Sequence, residues 1–241
     1  TPGMQAFYQI DGATWSVIDR NETPHLDRMK KEGLSGTLIA EEPLFSPLLW
    51  TTIASGRPTI EHGIQGIRTR SDQAQVPRFW DIARAAGLSV GLYKWLVTWP
   101  PPSEGTAGFT VPAWLAGDAA THPSSLSWVK SLEFSRRTHR KKIEGDVSLL
   151  GLVKGGLVDG VRWSTILEGF SILVHDRWFD SGQDRTEIAQ RRLRLRIDRD
   201  VFVHQVHVHQ PDVATFSMYL TDALSHTHWS AENGRHVDEA Y

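Results

Sequence analysis

Apolar positions along this chain fall into short runs divided by stretches of helical period. Residues 5–10 read as a buried strand, and Asp11-Gly12 follows at its C-terminal end. Residues 24–32 read as a helix, with Pro24 near its start and Gly33 as its stop, and 35–40 (SGTLIA) as a second strand. Ser46 is placed as an N-cap with Pro47 at the first helical position, opening a helix that Leu48, Leu49, Trp50, Ile53 and Ala54 continue to Ser55-Gly56. Val76–Ala86 reads as helix stopped by Gly87, Leu88–Tyr93 as strand, and the apolar run at 213–220 as a further strand. Strands alternating with helices predict an α/β fold with a mostly parallel, doubly wound sheet.

The stretch from about 117 to 199 breaks that rhythm. It is basic around SRRTHRKK (135–142) and then carries a long apolar run interrupted by Lys154, Asp159, Arg162 and Glu168. Those charges are too frequent for a bilayer span, so amphipathic helices forming an inserted cap are expected. The predicted organisation is a core at 1–117, a helical cap at 118–200, and a return to the core at 201–241.

Composition narrows the partners. With 40% hydrophobic and 22% charged residues the chain is ordinary for a globular protein that can bury one core. A formal net charge of −2 gives no electrostatic case for nucleic acid or a membrane surface, and SRRTHRKK reads as a solvated loop. The absence of cysteine excludes disulfides, thiol nucleophiles and Cys-zinc sites. TPGMQAFY holds no basic region followed by an apolar stretch, which leans to a cytoplasmic setting, although a processed leader would leave the same absence. Several of the ten tryptophans fall in RFW and WLVTWPP, where they are expected to line or roof a cleft.

Three features carry candidate chemistry. Ser46 at a helix start would sit beside unpaired N–H groups and the positive dipole end, which suits a phosphoryl or sulfuryl group. Asp11 follows the first strand, at the edge where open α/β sheets place their chemistry. Asp222 and His226 stand four apart, so one helical turn brings carboxylate and imidazole to one face; His228 is the competing histidine. His62 is read as a brace for the turn at 57–63, and His204, His207 and His209 as part of a surface helix rather than a metal frame.

The ordered blocks DGATW (11–15), Ser46-Pro47 through Gly56-Arg57-Pro58 to His62-Gly63-Ile64, KWLVTWP (94–100), and Asp222…His226 resemble the alkaline phosphatase superfamily, most closely its type I phosphodiesterase/nucleotide pyrophosphatase branch. The resemblance implies an α/β/α sandwich with two divalent metals at the sheet edge, usually zinc, with manganese or magnesium as alternatives. It implies a Ser or Thr nucleophile that also ligates one metal. By position, Asp11 and Ser46 would serve one metal and Asp222 and His226 the other. The implied reaction is phosphoric ester hydrolysis through a phosphoseryl intermediate, on a small phosphate-ester or nucleotide-like substrate. Phosphomonoesterase, phosphonate hydrolase, phosphomutase or a truncated non-catalytic binding homologue are the alternatives.

Family members continue past the Asp…His block through a strand ending in an Asp-His pair and a later His. The 241 residues hold no such segment, so the chain reads as an N-terminal portion with both metal sites incomplete. Rival classes fail on single positions. A haloacid-dehalogenase-type nucleophile at Asp11 needs an acid where Ala13 stands, Ser46 lacks the G-x-S-x-G elbow, and DGATW is not G-x-G-x-x-G.

Overall fold

The computed structural model describes residues 3–137, 149–178 and 183–228. Four strands, β1 (Gln5–Ile10), β2 (Val90–Tyr93), β3 (Gly108–Val111) and β4 (Val213–Met218), form one sheet in the order β1-β4-β2-β3. Every pairing is parallel, with Gln5 opposite Val213, Val90 opposite Val213, and Val90 opposite Gly108. All four strands therefore end at the same edge, as the alternation of strands and helices predicts.

Side chains alternate across that sheet and build a core on each face. Val90, Leu92 and Val213 point to one side, where Trp50, Ile64, Trp80 and Trp95 join them. Tyr93, Phe109, Val111 and Phe216 point to the other, against Leu126, Val129, Val161 and Val201. The first face is covered by α3 (Ser46–Ser55), α4 (Thr59–His62) and α5 (Phe79–Ala85), after two short N-terminal helices, α1 (Trp15–Ile18) and α2 (Pro24–Glu32). The connection from β3 to β4 carries α6 (Ser127–Arg137), α7 (Leu149–Val158), α8 (Trp163–Trp178) and the long α9 (Gln183–His209), and α10 (Leu220–His228) follows β4. The layering is the α/β/α arrangement expected, and helices α6 to α9 make up most of the described part of residues 118–200. Residues 138–142 of the basic stretch lie outside the described residues. No helix among the described residues is long and apolar enough to cross a membrane.

Strand β1 stands at the edge of the sheet and is largely exposed, with Phe7 and Tyr8 in solvent, rather than buried; three further local expectations are corrected. Residues 35–40 form no strand; they run as exposed coil, with Leu38 and Ile39 almost fully in solvent. Propensity alone does not make a strand, because the ladder must find a partner, and β1 pairs only with β4. Second, the N-cap of α3 is Phe45, with Ser46 as the first helical residue and Pro47 the second. Gly56 closes that helix in the left-handed conformation, φ 63°, as predicted. Third, Trp80 and Trp95 do not roof a cleft. Each is 1% exposed, and with Trp50 and Phe79 they form an edge-to-face aromatic core beneath α3 and α5.

Candidate functional site at the sheet edge

Asp11 and Asp222 meet at the C-terminal end of the sheet because β1 and β4 are neighbours in register. The Asp11 N–H donates to Met218 O at 2.9 Å, continuing the ladder one residue past the strand, and the Asp222 N–H donates to Asp11 O at 3.0 Å. Gly12, at φ 76°, permits this approach: a Cβ there would stand 2.6 Å from Asp222 Cα and 2.7 Å from its nitrogen. On α10, His226 Nε2 lies 3.3 Å from Asp222 Oδ1, the one-turn geometry expected. His226 is well exposed and that contact alone is weak. The His228 side chain lies outside the described residues.

The two carboxylates repel one another. Burial first, and the Asp222 charge second, push the Asp11 carboxyl up to about 6, against a backbone hydrogen bond from Gly12 and the attraction of His226. Negative charge at this point is thus under-neutralised.

Helix α3, which begins at Ser46, meets the same edge through Trp50. Trp50, one turn along α3, stacks on Tyr219 at 5.4 Å between centroids and 14° between planes. Tyr219 lies between β4 and α10 and donates its hydroxyl to Lys94 O at 2.6 Å. Burial, then the charges of Asp11, Glu133 and Asp222, hold the Tyr219 phenol well above the usual range. One tyrosine therefore touches the helix of Ser46 while sensing both carboxylates. The start of α3 offers fewer free donors than its sequence suggests: Pro47 has no N–H, and those of Leu48 and Leu49 already bond to Phe45 O. The helix dipole and the half-buried Ser46 hydroxyl remain.

His62 braces the turn, as anticipated. Its Nδ1 accepts the Ile64 N–H at 3.1 Å, its Nε2 stands 3.1 Å from the Thr52 hydroxyl, and its carbonyl accepts from Gln75. The ring is fully buried, and burial lowers its pKa.

Sequence reasoning missed the other half of the edge. A cavity of about 310 Å³ opens between the end of β4 and α9, bordered by Asp222 and Tyr219 on one side and by Lys94, Glu133, Arg194 and Asp198 on the other. Lys94 Nζ lies 2.6 Å from Asp198 Oδ2 and 3.6 Å from Glu133 Oε2. Fully buried Lys130 lies 3.1 Å from the same Glu133 oxygen, and Arg194 Nε lies 3.3 Å from Asp198 Oδ1. The available signal was a lysine closing an apolar run, GLYKWLV, where β2 ends. Its partners on α6 and α9 are far away in sequence.

The donors at Asp11, Asp222 and His226 are of the kind a divalent cation takes. Their number falls short: among the described residues no group of three or more His, Asp or Glu gathers to hold one. A complete metal site is not formed by the described residues.

The sheet edge thus joins two carboxylates at the strand ends of a parallel α/β/α sandwich to an adjoining charged cavity. A profile of the type I phosphodiesterase / nucleotide pyrophosphatase family matches residues 8–241, and the chain belongs to that family, within the alkaline phosphatase superfamily. That membership supports phosphoester hydrolysis at the coarse level, in a family that is generally metal-dependent. No curated protein and no solved structure matches the chain.

Proposed function

We propose that this protein cleaves a small phosphodiester or nucleotide-like ester, with Ser46 as nucleophile and a phosphoseryl intermediate. The observation that carries the reading is the meeting of Asp11 and Asp222, from distant parts of the chain, at the edge reached by the Ser46 helix. Chain proximity gives these residues no reason to converge.

The Ser46 oxygen attacks phosphorus and forms an O–P bond as the ester O–P bond opposite breaks. The leaving alcohol takes up the proton that the serine gives to solvent. Water then cleaves the phosphoseryl ester and releases the phosphate monoester and free Ser46. The positive end of α3 favours the anionic phosphoryl group in both steps. Asp11, Asp222 and His226 are the donors this chain would offer a divalent cation, which would supply a lowered pKa to the nucleophile and stabilise charge on the leaving oxygen.

The test is direct. The protein is incubated with bis(p-nitrophenyl) phosphate, with Zn²⁺, Mn²⁺ or Mg²⁺ added in turn, quenched in acid and digested for mass spectrometry. A phosphoryl-ester adduct on the peptide containing Ser46, absent from Ser46→Ala, is the expected result. Equal turnover in Ser46→Ala refutes the role.

A further inference from the structure

Helix α8 is apolar on two faces. Between Trp163 and Val174 its sequence, WSTILEGFSILV, holds one charged residue, Glu168, and Arg196 of α9 pairs with it. The inner face is held on α9 and the core: Thr165 donates its hydroxyl to Asp200 Oδ2 at 2.7 Å, Gly169 faces Leu193, and Ile166 packs against the cluster of Phe109 and Phe216. The outer face has no such cover among the described residues. Trp163, Leu167, Phe170 and Val174 are 65%, 64%, 45% and 56% exposed. A helix that is apolar all round belongs in a packed interior, and four large apolar side chains in one row exceed the scattered singles that are normal on a surface.

The spacing of the row identifies what fits it. Positions 163, 167, 170 and 174 are separated by four, three and four residues, close to the period of about 3.5 at which two helices share a seam. The row reads the same in both directions. An antiparallel copy, turned about a two-fold axis between residues 168 and 169, therefore sets Trp163 against Val174 and Leu167 against Phe170. Each ring meets a smaller aliphatic side chain, the helix dipoles oppose, and Glu168 beside the axis is already engaged by Arg196. Two copies of the row would bury on the order of 1,000 Å², the lower bound of a specific interface.

We propose that the outer face of α8 is a self-association surface, on which a second copy of this chain packs its own α8 antiparallel. An interface of this size makes a reversible, concentration-dependent dimer rather than an obligate one. A lipid surface is the competing occupant and fits less well. Interfacial helices border their apolar face with Lys and Arg, and between Trp163 and Val174 α8 has neither. The proposal stands apart from the phosphoester reading and needs none of its residues.

Sedimentation velocity of this chain across about 1–100 μM is expected to show monomer giving way to dimer as concentration rises. Trp163→Glu and Leu167→Glu, both at exposed positions, are each expected to raise the dimer dissociation constant by about 10-fold or more, with far-UV circular dichroism and the urea midpoint unchanged. Orientation is read with introduced thiols, since the chain has no cysteine of its own. Trp163→Cys protein mixed with Val174→Cys protein is expected to form a disulfide-linked dimer on mild oxidation, several-fold more than either variant forms alone. A chain that stays monomeric throughout that range overturns the proposal. So does a dimer that Trp163→Glu and Leu167→Glu leave intact, or one in which either thiol variant links to itself as readily as to the other. Binding of the monomer to phosphatidylcholine vesicles, lost in Leu167→Glu, assigns the face to lipid and equally overturns it.

Discussion

The two sides of the sheet-edge cleft carry opposite electrostatic imbalances. On the β1 side, Asp11 and Asp222 crowd two carboxylates against one exposed histidine, and burial raises the Asp11 pKa to about 6. On the α9 side, three buried cations share two carboxylates, and Glu133 is driven down to about 2. The protein holds charge in both places, but only the α9 side satisfies most of its charges with partners of its own.

The largest expected effect breaks the comparison at the chemistry. Ser46→Ala is expected to lower diester turnover by about 10³-fold or more, of order 4 kcal/mol in barrier. The fold should hold within about 0.5 kcal/mol, because alanine is the better helix former at an N-terminal position that caps nothing. Steady-state kinetics beside a urea melt measure both.

Next comes the cationic side. Glu133→Gln leaves Lys94, Lys130 and Arg194 facing one carboxylate, and stability should drop by about 3 kcal/mol in denaturant unfolding. A change below ~0.5 kcal/mol would mean the cluster is solvated and the comparison false. On the other side, Gly12→Ala forces a Cβ against the Asp222 backbone at a left-handed φ, and about 2 kcal/mol of destabilisation is expected. Activity should fall with it, since the carboxylates are pushed apart.

The pH responses are smaller and opposite in direction. Asp11 has a folded pKa raised above its unfolded value, so the folded state binds the extra proton and metal-free protein loses stability as pH rises from about 4 through about 6. Two units correspond to about 3 kcal/mol at most, which solvent screening of this part-exposed group reduces to ~1 kcal/mol. Asp11→Asn should abolish that slope, and added divalent cation should mask it. Lys130, whose folded pKa is depressed to about 8, has the reverse sign: the unfolded chain binds more protons, so stability should rise between about pH 8 and its ordinary value near 10.5. Thermal melts across pH 4–10 in wild type, Asp11→Asn and Lys130→Met resolve the two slopes.

How legible each side was follows from sequence separation. Asp222 and His226 could be paired on paper because one helical turn fixes their distance, and they lie 3.3 Å apart on α10. Asp11 could be placed at a strand end because AFYQI is a short apolar run followed by Asp-Gly. The Lys94–Asp198–Glu133 network was illegible, since its members come from β2, α9 and α6 and no periodicity links them. Residues 35–40 misled for a related reason: their apolar pattern suits a strand, but a strand exists only where another strand accepts it.

By itself, then, the sequence determined what depends on near neighbours. Helix α3 with its left-handed glycine stop, the helix carrying Asp222 and His226, and the β/α alternation that makes the sheet parallel all follow from spacings of a few residues. Only the tertiary structure decided that β4 lies between β1 and β2, and this single choice of order sets Asp222 against Asp11 and turns α9 toward Lys94. Strand order is fixed by which buried faces fit together, Phe216 on Tyr93 and Trp50 on Tyr219, and that fit is a property of the packed core rather than of any local stretch of chain.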